Sequence, residues 1–431
     1  MLAKILSRRF CLFINGCQVL MNTSSPSIVI IGAGPAGATA AIALAQKNIA
    51  VTLIDKATFP RDKICGDALS GKVVDVLNLL NKNWVHEIAA DSLFLGSYGV
   101  SFFAPNQQSL AIPFQNKIDK SKPAPGFISK RIDFDNFLIK KVKEFPQITL
   151  IENTVCRNFE RKENKIICKT TNGEFTADVV LAADGVNSAF AKQFSTIEVE
   201  SNHNCFGLRA YFDDVKNLDE NNFIELHFLK EFLPGYFWIF PLPNGGANVG
   251  VGLRADVIKK NNINLRKSFL SIIENNSYLK ERFASAKMQG EIKQWSLPLA
   301  SKKRLISGEN FMLLGDAAML IDPFTGEGIS NAMYSGYFAA NTIANCMTKK
   351  DFSAEKLLAY DHEVYRRLGP EFKVSYRMQQ LVNFPWLFNF IVKRANSNPT
   401  LKETIASMFE DIDLRAKLKS PKFYFNLLFS R

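Results

Sequence analysis

Residues 27–37 read Ser27-Ile28-Val29-Ile30-Ile31-Gly32-Ala33-Gly34-Pro35-Ala36-Gly37, a β-branched run that ends on glycine and opens into an alanine-rich stretch. Four branched apolar residues in a row have the composition of a parallel strand buried on both faces. Pro35 to Gln46 is expected as a helix and Val51 to Ile54 as the next strand, which makes a βαβ unit. The intervening loop is GxGxxG where dinucleotide binding requires it. Gly32 permits the tight turn, Gly34 lets backbone approach a pyrophosphate, and Gly37 lets helix and strand pack closely. The helix opening at Pro35 offers the N–H groups from Ala36 onward and a positive dipole end to phosphates. Asp55 ends the second strand, with Lys56 beside it, at the position where an acid accepts hydrogen bonds from ribose hydroxyls. The motif does not separate NAD from FAD.

The chain has 431 residues, 47% hydrophobic and 22% charged, enough for two or three units at roughly 150 residues each. That balance excludes a disordered chain. A polytopic membrane protein is excluded as well, because no window holds the roughly 18 uninterrupted apolar residues of a spanning helix. Lys and Arg number 53 against 41 acids, a net charge of +12, which permits contact with anionic lipid or nucleic acid but speaks of field rather than fold. The lysines are dispersed and nothing resembles a nucleic-acid module, so no nucleic-acid partner is expected. Seven scattered cysteines without a CxxC pair argue for a reducing compartment, hence a cytoplasmic location. Four histidines, none at metal-ligand spacing, predict no metal. The 36 phenylalanines fit either an AT-rich coding sequence or an apolar cavity.

Residues 1–21 place Lys4, Arg8 and Arg9 ahead of an apolar stretch broken by Asn15, Gly16 and Gln18. No signal-peptide cleavage site follows. Met21 stands directly before the first strand and is the expected start, the preceding residues being an extension; a basic surface anchor is the other reading.

Downstream, Ile132–Phe145 has helical spacing, Ile148–Ile151, Val155–Phe159 and Ile166–Thr170 read as strands, and Asn172-Gly173 as a turn. Val179–Ala183 and Phe311–Leu314 are further buried strands, and a small-residue helix is expected from Gly328 to Cys346. Between Asn204 and Leu253 the pattern is strand-rich with Gly-, Pro- and Asn-containing turns, which suggests an antiparallel sheet. The expected fold is α/β. Residues 22–100, 128–200 and 304–350 form a discontinuous Rossmann-like nucleotide domain, 101–127 and 201–303 an inserted antiparallel substrate domain, and 351–431 a helical region.

Two further segments bear on the cofactor. LAADGVNSAF puts Asp184-Gly185 at the end of one buried strand, and MLLGDAAMLIDPFTGEGISNAM puts Gly315-Asp316 at the end of another, ahead of a Pro/Gly loop through Gly326. The pair resembles the signatures of the para-hydroxybenzoate hydroxylase superfamily of FAD enzymes. That resemblance implies that Asp316 contacts the ribityl–ribose part of FAD. It also points the helix start at Gly328 and Ile329 toward the isoalloxazine, where N–H groups favour anionic reduced flavin.

Within the superfamily the chain resembles the geranylgeranyl reductase family, over most of Ile28 to Cys346. Three stretches carry the likeness: Phe59 to Ser70 with its Arg61-Asp62-Lys63-Ile64-Cys65-Gly66 core, Ser129-Lys130-Arg131 with Phe134 and Asp135, and Pro234 to Pro241 followed by Gly245 to Gly250. The resemblance implies FAD contacts from Arg131, Val155 and the backbone of Cys65, Gly66 and Ala68. It also implies a substrate cavity lined by the YxWxFP strand. Asp67 departs from the family, which often has a second glycine there.

Tyr236 and Trp238 alternate on one strand face, so both can reach an apolar substrate over the flavin; the same spacing describes an ordinary aromatic core strand. Cys65 can act on or gate the flavin, or be inert. These three are the candidate catalytic residues. The implied activity is FAD-dependent reduction of carbon–carbon double bonds in a prenyl lipid or quinone side chain, with NAD(P)H or another reductant as donor. A monooxygenase acting on an aromatic or polyketide-like substrate with NAD(P)H and O2 is the alternative, and a non-catalytic FAD-binding protein a third reading. The halogenase pattern WxWxIP is absent. An apolar or lipid substrate suits peripheral contact with the inner face of a membrane, through the Phe/Lys-rich tail KFYFNLLF; the tail can equally pack on the domain. The oligomeric state is not legible.

Overall fold

A computed structural model of the protein describes residues 25–402, apart from 116 and 400. The 1–21 extension and the KFYFNLLF tail lie outside the described residues.

The βαβ unit is present: strand Ile28–Ile31, helix Pro35–Ala45, strand Val51–Ile54. It forms the middle of a six-stranded sheet whose order is Ser307–Gly308, Phe311–Leu313, Val179–Ala182, Ile28–Ile31, Val51–Ile54, Ile148–Ile151. All pairings are parallel except the first, which is a short antiparallel hairpin. Strands brought together from residues 28 to 313 thus make one sheet, so the chain leaves it and returns. Every residue of Pro35–Ala45 is buried. Its alanines permit a close crossing with the long helix Ile329–Met347: a Cβ on Gly336 would sit 2.2 Å from the Ala36 carbonyl oxygen.

A second sheet has seven strands in the order Lys287–Pro298, Asn204–Asp213, Ala247–Arg254, Tyr236–Pro241, Ile224–His227, Gly99–Phe103, Ser109–Pro113. It is antiparallel save for the pairing of Ile224–His227 with Gly99–Phe103. A meander of Cys156–Lys162, Lys165–Thr170 and Gly173–Ala177 turns at Asn172, as read from sequence. The described part of the C-terminal region is two helices, Ala354–Leu381 and Pro385–Ser397. Among the described residues no helix is long and apolar enough to cross a membrane. The α/β FAD-binding fold with a helical C-terminal region is as expected.

Candidate active site

The parallel strands set their C-terminal loops side by side. Gly32 donates to the Ile54 carbonyl (2.7 Å), Ala183 to Ile31 (2.8 Å) and Leu314 to Ala182 (2.8 Å), so the loops after these strands start in register. Gly32 holds φ +98°, and a Cβ there would lie 2.4 Å from the Ala183 oxygen. Across the same opening, a Cβ on Gly315 would meet Cβ of Ala36 at 3.4 Å and of Ala332 at 3.0 Å. The three separated loops near residues 32, 184 and 316 therefore converge.

They border one continuous cavity of 2310 Å³ that runs between the two sheets to the C-terminal helices. Of the candidate catalytic and cofactor-binding residues read from the sequence, all but Ala33 and Gly37 line it. Those two stand behind the loop: the Ala33 N–H donates to Asp55 Oδ2 (2.7 Å), and a Cβ on Gly37 would collide with the Gly32 carbonyl at 1.8 Å.

Several features of this end of the cavity fit FAD. A Cβ on Gly34 would meet only Arg61 Nη2, at 3.6 Å, so the loop backbone is open to a phosphate. Asp55 uses each carboxylate oxygen once, for the Ala33 and Ala57 (2.8 Å) amides, which leaves a lone pair on each for a ribose hydroxyl. Asp184 accepts from the Ala189 amide (3.0 Å) through Oδ2, while its buried Oδ1 has no partner. A buried carboxylate oxygen without a donor is costly, and a hydroxyl of the ribityl or ribose chain would satisfy it. Burial also pushes the Asp184 carboxyl up, against hydrogen bonds from Ser188 and backbone amides. Helix Ile329–Met347 starts at Gly328 with no side-chain cap and no acid in its first turn, so its N–H groups stay available to a developing negative charge.

Arg131 is held in place by a carboxylate on its own helix. Its guanidinium forks onto Asp135, Nε to Oδ1 (2.7 Å) and Nη2 to Oδ2 (2.8 Å), and Arg61 Nη1 adds a third contact to Oδ2 at 2.6 Å. Burial would raise the Asp135 carboxyl, but the Arg131 and then the Arg61 charge outweigh it and hold it below its ordinary value. Both arginines still border the cavity.

On the substrate side, strand register builds an aromatic wall. Trp238 pairs with Gly250 and Tyr236 with Gly252, so the neighbouring strand offers no side chain where the indole lies. A Cβ on Gly250 would be 2.3 Å from Trp238 Cζ2. Tyr236 donates to the Thr325 carbonyl (2.5 Å), and Trp238 Nε1 to Asn248 Oδ1 (2.9 Å). Tyr236 and Trp238 therefore both face the cavity as expected, each tethered by its polar atom.

Asn248 leads to a network that the sequence did not disclose. Its Nδ2 donates to the Cys65 carbonyl and to Asp67 Oδ2, both at 2.8 Å, and Tyr211 donates to the same Oδ2 at 2.8 Å. Asp67 has φ +70°, a left-handed backbone that glycine adopts more readily than other residues. Burial pushes its carboxyl up to about 6, opposed by Asn248, Tyr211 and the charges of Arg209 and Arg131. Burial likewise pushes the Cys65 thiol up, against the Arg131 charge, so the sulfur is protonated at neutral pH.

Asp67 carries a pH prediction. Folded, it holds its proton up to about pH 6; unfolded, it releases it near 3.8. Its contribution to stability is thus full below the unfolded value and is lost as pH rises through the folded one, on the order of 3 kcal/mol. Asp67→Asn keeps an acceptor for Tyr211 and Asn248 but cannot ionise. Melting temperatures between about pH 4 and pH 7 should fall less steeply in this variant than in the parent chain; identical slopes would refute the assignment.

A second unforeseen cluster ties the long C-terminal helix to the flavin end. Lys72 Nζ lies 2.6 Å from Glu371 Oε1 and 3.0 Å from Glu327 Oε2, and Ser330 donates to Glu327 Oε1 at 2.5 Å. Glu327 immediately precedes the helix start at Gly328, and Lys72 offsets its charge there. Among the described residues no group of His, Cys, Asp and Glu could hold a metal.

Comparison with known proteins agrees with this geometry. The family model described as FAD binding domain matches residues 26–368. A digeranylgeranylglycerophospholipid reductase from Methanocella arvoryzae is 29% identical over 377 residues, covering 83% of this chain and 88% of its own. A menaquinone reductase from Mycobacterium tuberculosis is 27% identical over 374 residues, covering 84% and 85%. A solved structure described as geranylgeranyl bacteriochlorophyll reductase-like, from Thermoplasma acidophilum, shares the fold with a TM-score of 0.76 at 23% identity, over 93% of this chain and 96% of that one. A flavin-dependent brominase shares it with a TM-score of 0.74 at 21% identity, over 94% and 100%. The chain belongs to the FAD-binding domain family and is a flavin-dependent oxidoreductase.

Proposed function

We propose that this protein reduces carbon–carbon double bonds of a prenyl chain carried on a lipid or quinone. The observation that carries the reading is the size and lining of the cavity. A drug-sized ligand occupies about 300–1,000 Å³, whereas this space is 2310 Å³ and continues past Phe102, Leu226, Trp238 and Phe240 to Phe388 and Val392. It has room for a dinucleotide at the loops and a long apolar chain beyond them. The curated relatives named above are reductases whose names specify a prenylated phospholipid and a quinone.

Bound FAD, once reduced, supplies the hydride through its N5. Gly34, Asp55, Asp184, Asp316 and the helix start at Gly328 would hold the cofactor, with backbone at Cys65 to Ala68 and Val155 as further contacts. Tyr236 and Trp238 hold the prenyl chain against the flavin and keep water away. An alkene needs a proton as well as a hydride, and the Cys65 thiol and, below about pH 6, the Asp67 carboxyl are two proton-bearing groups lining the cavity. NAD(P)H or another reductant is the donor. The protein works at the inner face of a membrane, where such substrates reside.

Mass spectrometry of lipids and quinones from cells with and without the gene tests this. Loss of the gene should leave a prenyl species lighter by two hydrogens per unreduced bond. A species lighter by one oxygen atom would instead support the hydroxylase reading, which the halogenase-type structural neighbours share by fold.

A further inference from the structure

Helix Pro385–Ser397 is apolar on two sides, which a helix packed on a water-soluble domain does not require. One face carries Phe388, Ile391 and Val392 into the wall of the cavity. A second, polar edge anchors it to the substrate sheet: Asn389 Oδ1 accepts from the Asn106 amide (3.2 Å), and Asn396 Nδ2 donates to the Ser109 carbonyl (2.8 Å). The remaining face presents Trp386 and Phe390 four residues apart, 69% and 36% exposed, followed by exposed Lys393. The preceding turn adds Phe384 at 53% and Leu381 at 37% exposure. Exposed Lys373, Tyr376 and Arg377 on the adjoining helix flank the same tip at the rim of the cavity, which they and Leu381 also line.

We infer that this helical hairpin, residues 376–393, is the surface by which the protein docks on a bilayer containing anionic lipid. The inference rests on the prenyl-lipid reading of the cavity and names the route by which that substrate arrives. Charge complementarity selects the occupant. Basic side chains border an aromatic patch on a chain of net charge +12, and an anionic interface attracts the lysine and arginine while accepting Trp and Phe among its headgroups. A protein partner would need neither the bare Trp386 nor the continuity with the cavity. Because Phe388, Ile391 and Val392 lie on the opposite side of the same helix, a prenyl tail leaving the bilayer beside Trp386 needs to pass only one helix to enter the cavity. The docking tip assigned here is distinct from the Phe-rich C-terminal tail.

The test is co-sedimentation of the full-length, FAD-loaded protein with phosphatidylcholine vesicles containing about a fifth phosphatidylglycerol. The triple variant Phe384→Ser, Trp386→Ser, Phe390→Ser should partition at least roughly tenfold less than the parent chain. FAD content and turnover of a detergent-solubilised prenyl quinone should be unchanged, since none of the three side chains borders the cavity. As a second readout, brominated lipid should quench the parent chain's fluorescence, and Trp386→Phe should remove most of that quenching, because Trp84 and Trp238 are buried and Trp295 is half-buried on the cavity wall. Failure of the parent chain to bind vesicles, equal binding by the triple variant, or a change only in self-association would each overturn the docking assignment. Loss of prenyl-quinone turnover by the parent chain itself would overturn the substrate reading instead, and the two failures are separable.

Discussion

Gly37→Ala is expected to yield a chain that neither retains FAD nor melts cooperatively near the parent temperature. The added Cβ would lie 1.8 Å from the Gly32 carbonyl oxygen, 3.0 Å from its carbon and 3.3 Å from Ile30 Cγ2. The first two are backbone atoms and cannot rotate away. Gly32 cannot recede either, since its own α-carbon faces the Ala183 carbonyl. The first turn of helix Pro35–Ala45 would have to move off the sheet, at a cost in the rare class above about 4 kcal/mol. Gly34→Ala separates folding from cofactor approach. Its new methyl group meets nothing closer than Arg61 Nη2 at 3.6 Å, so the fold should survive with its melting temperature nearly unchanged. That methyl projects where a pyrophosphate must come close, so FAD affinity should drop steeply. The flavin-to-protein absorbance ratio, together with thermal melts, checks both. A Gly34→Ala protein as yellow as the parent would contradict the placement of the phosphates.

Asp135→Ala should be strongly destabilising. Asp135 is fully buried and receives three charged hydrogen bonds, two from Arg131 and one from Arg61. Removing the carboxylate leaves the buried Arg131 guanidinium with no anion, and losing one partner of a buried pair costs about 3–5 kcal/mol. Asp135→Asn retains an acceptor and should lose less. Denaturant midpoints give the order parent, Asn, Ala. A loss below about 1 kcal/mol for the alanine variant would mean that Arg131 finds another partner, such as a flavin phosphate, which repeating the melts with and without FAD would reveal.

The parts of the site legible in the sequence are those whose constraint is local. Gly32, Gly34 and Gly37 are dictated by contacts within one βαβ unit, and Asp184 and Asp316 each follow a recognisable buried strand, so their convergence could be anticipated. Networks set by strand register could not. Tyr211 and Asn248 meet at Asp67 because residues 211 and 248 are paired across two strands, and the bed for Trp238 depends on its pairing with Gly250. Asp67 stood out only as a departure from a family pattern; its left-handed backbone shows a position where glycine is the residue adopting the conformation most freely. The Arg131 guanidinium borders the cavity and also pairs with Asp135, a partner four residues along its own helix that the spacing could have suggested. The docking tip was hidden because its residues read simply as helical; exposure, not periodicity, distinguishes Trp386 from Phe388.

The most direct measurement of the central claim is a strictly anaerobic turnover with the purified, FAD-loaded chain. The flavin is reduced chemically, a prenylated quinone or lipid in detergent is added, and both the flavin absorbance and the product mass are followed. The account predicts that flavin colour returns as substrate is consumed without oxygen, and that the product gains two hydrogens per event. Colour that stays bleached until air is admitted, with a product heavier by one oxygen atom, would contradict it.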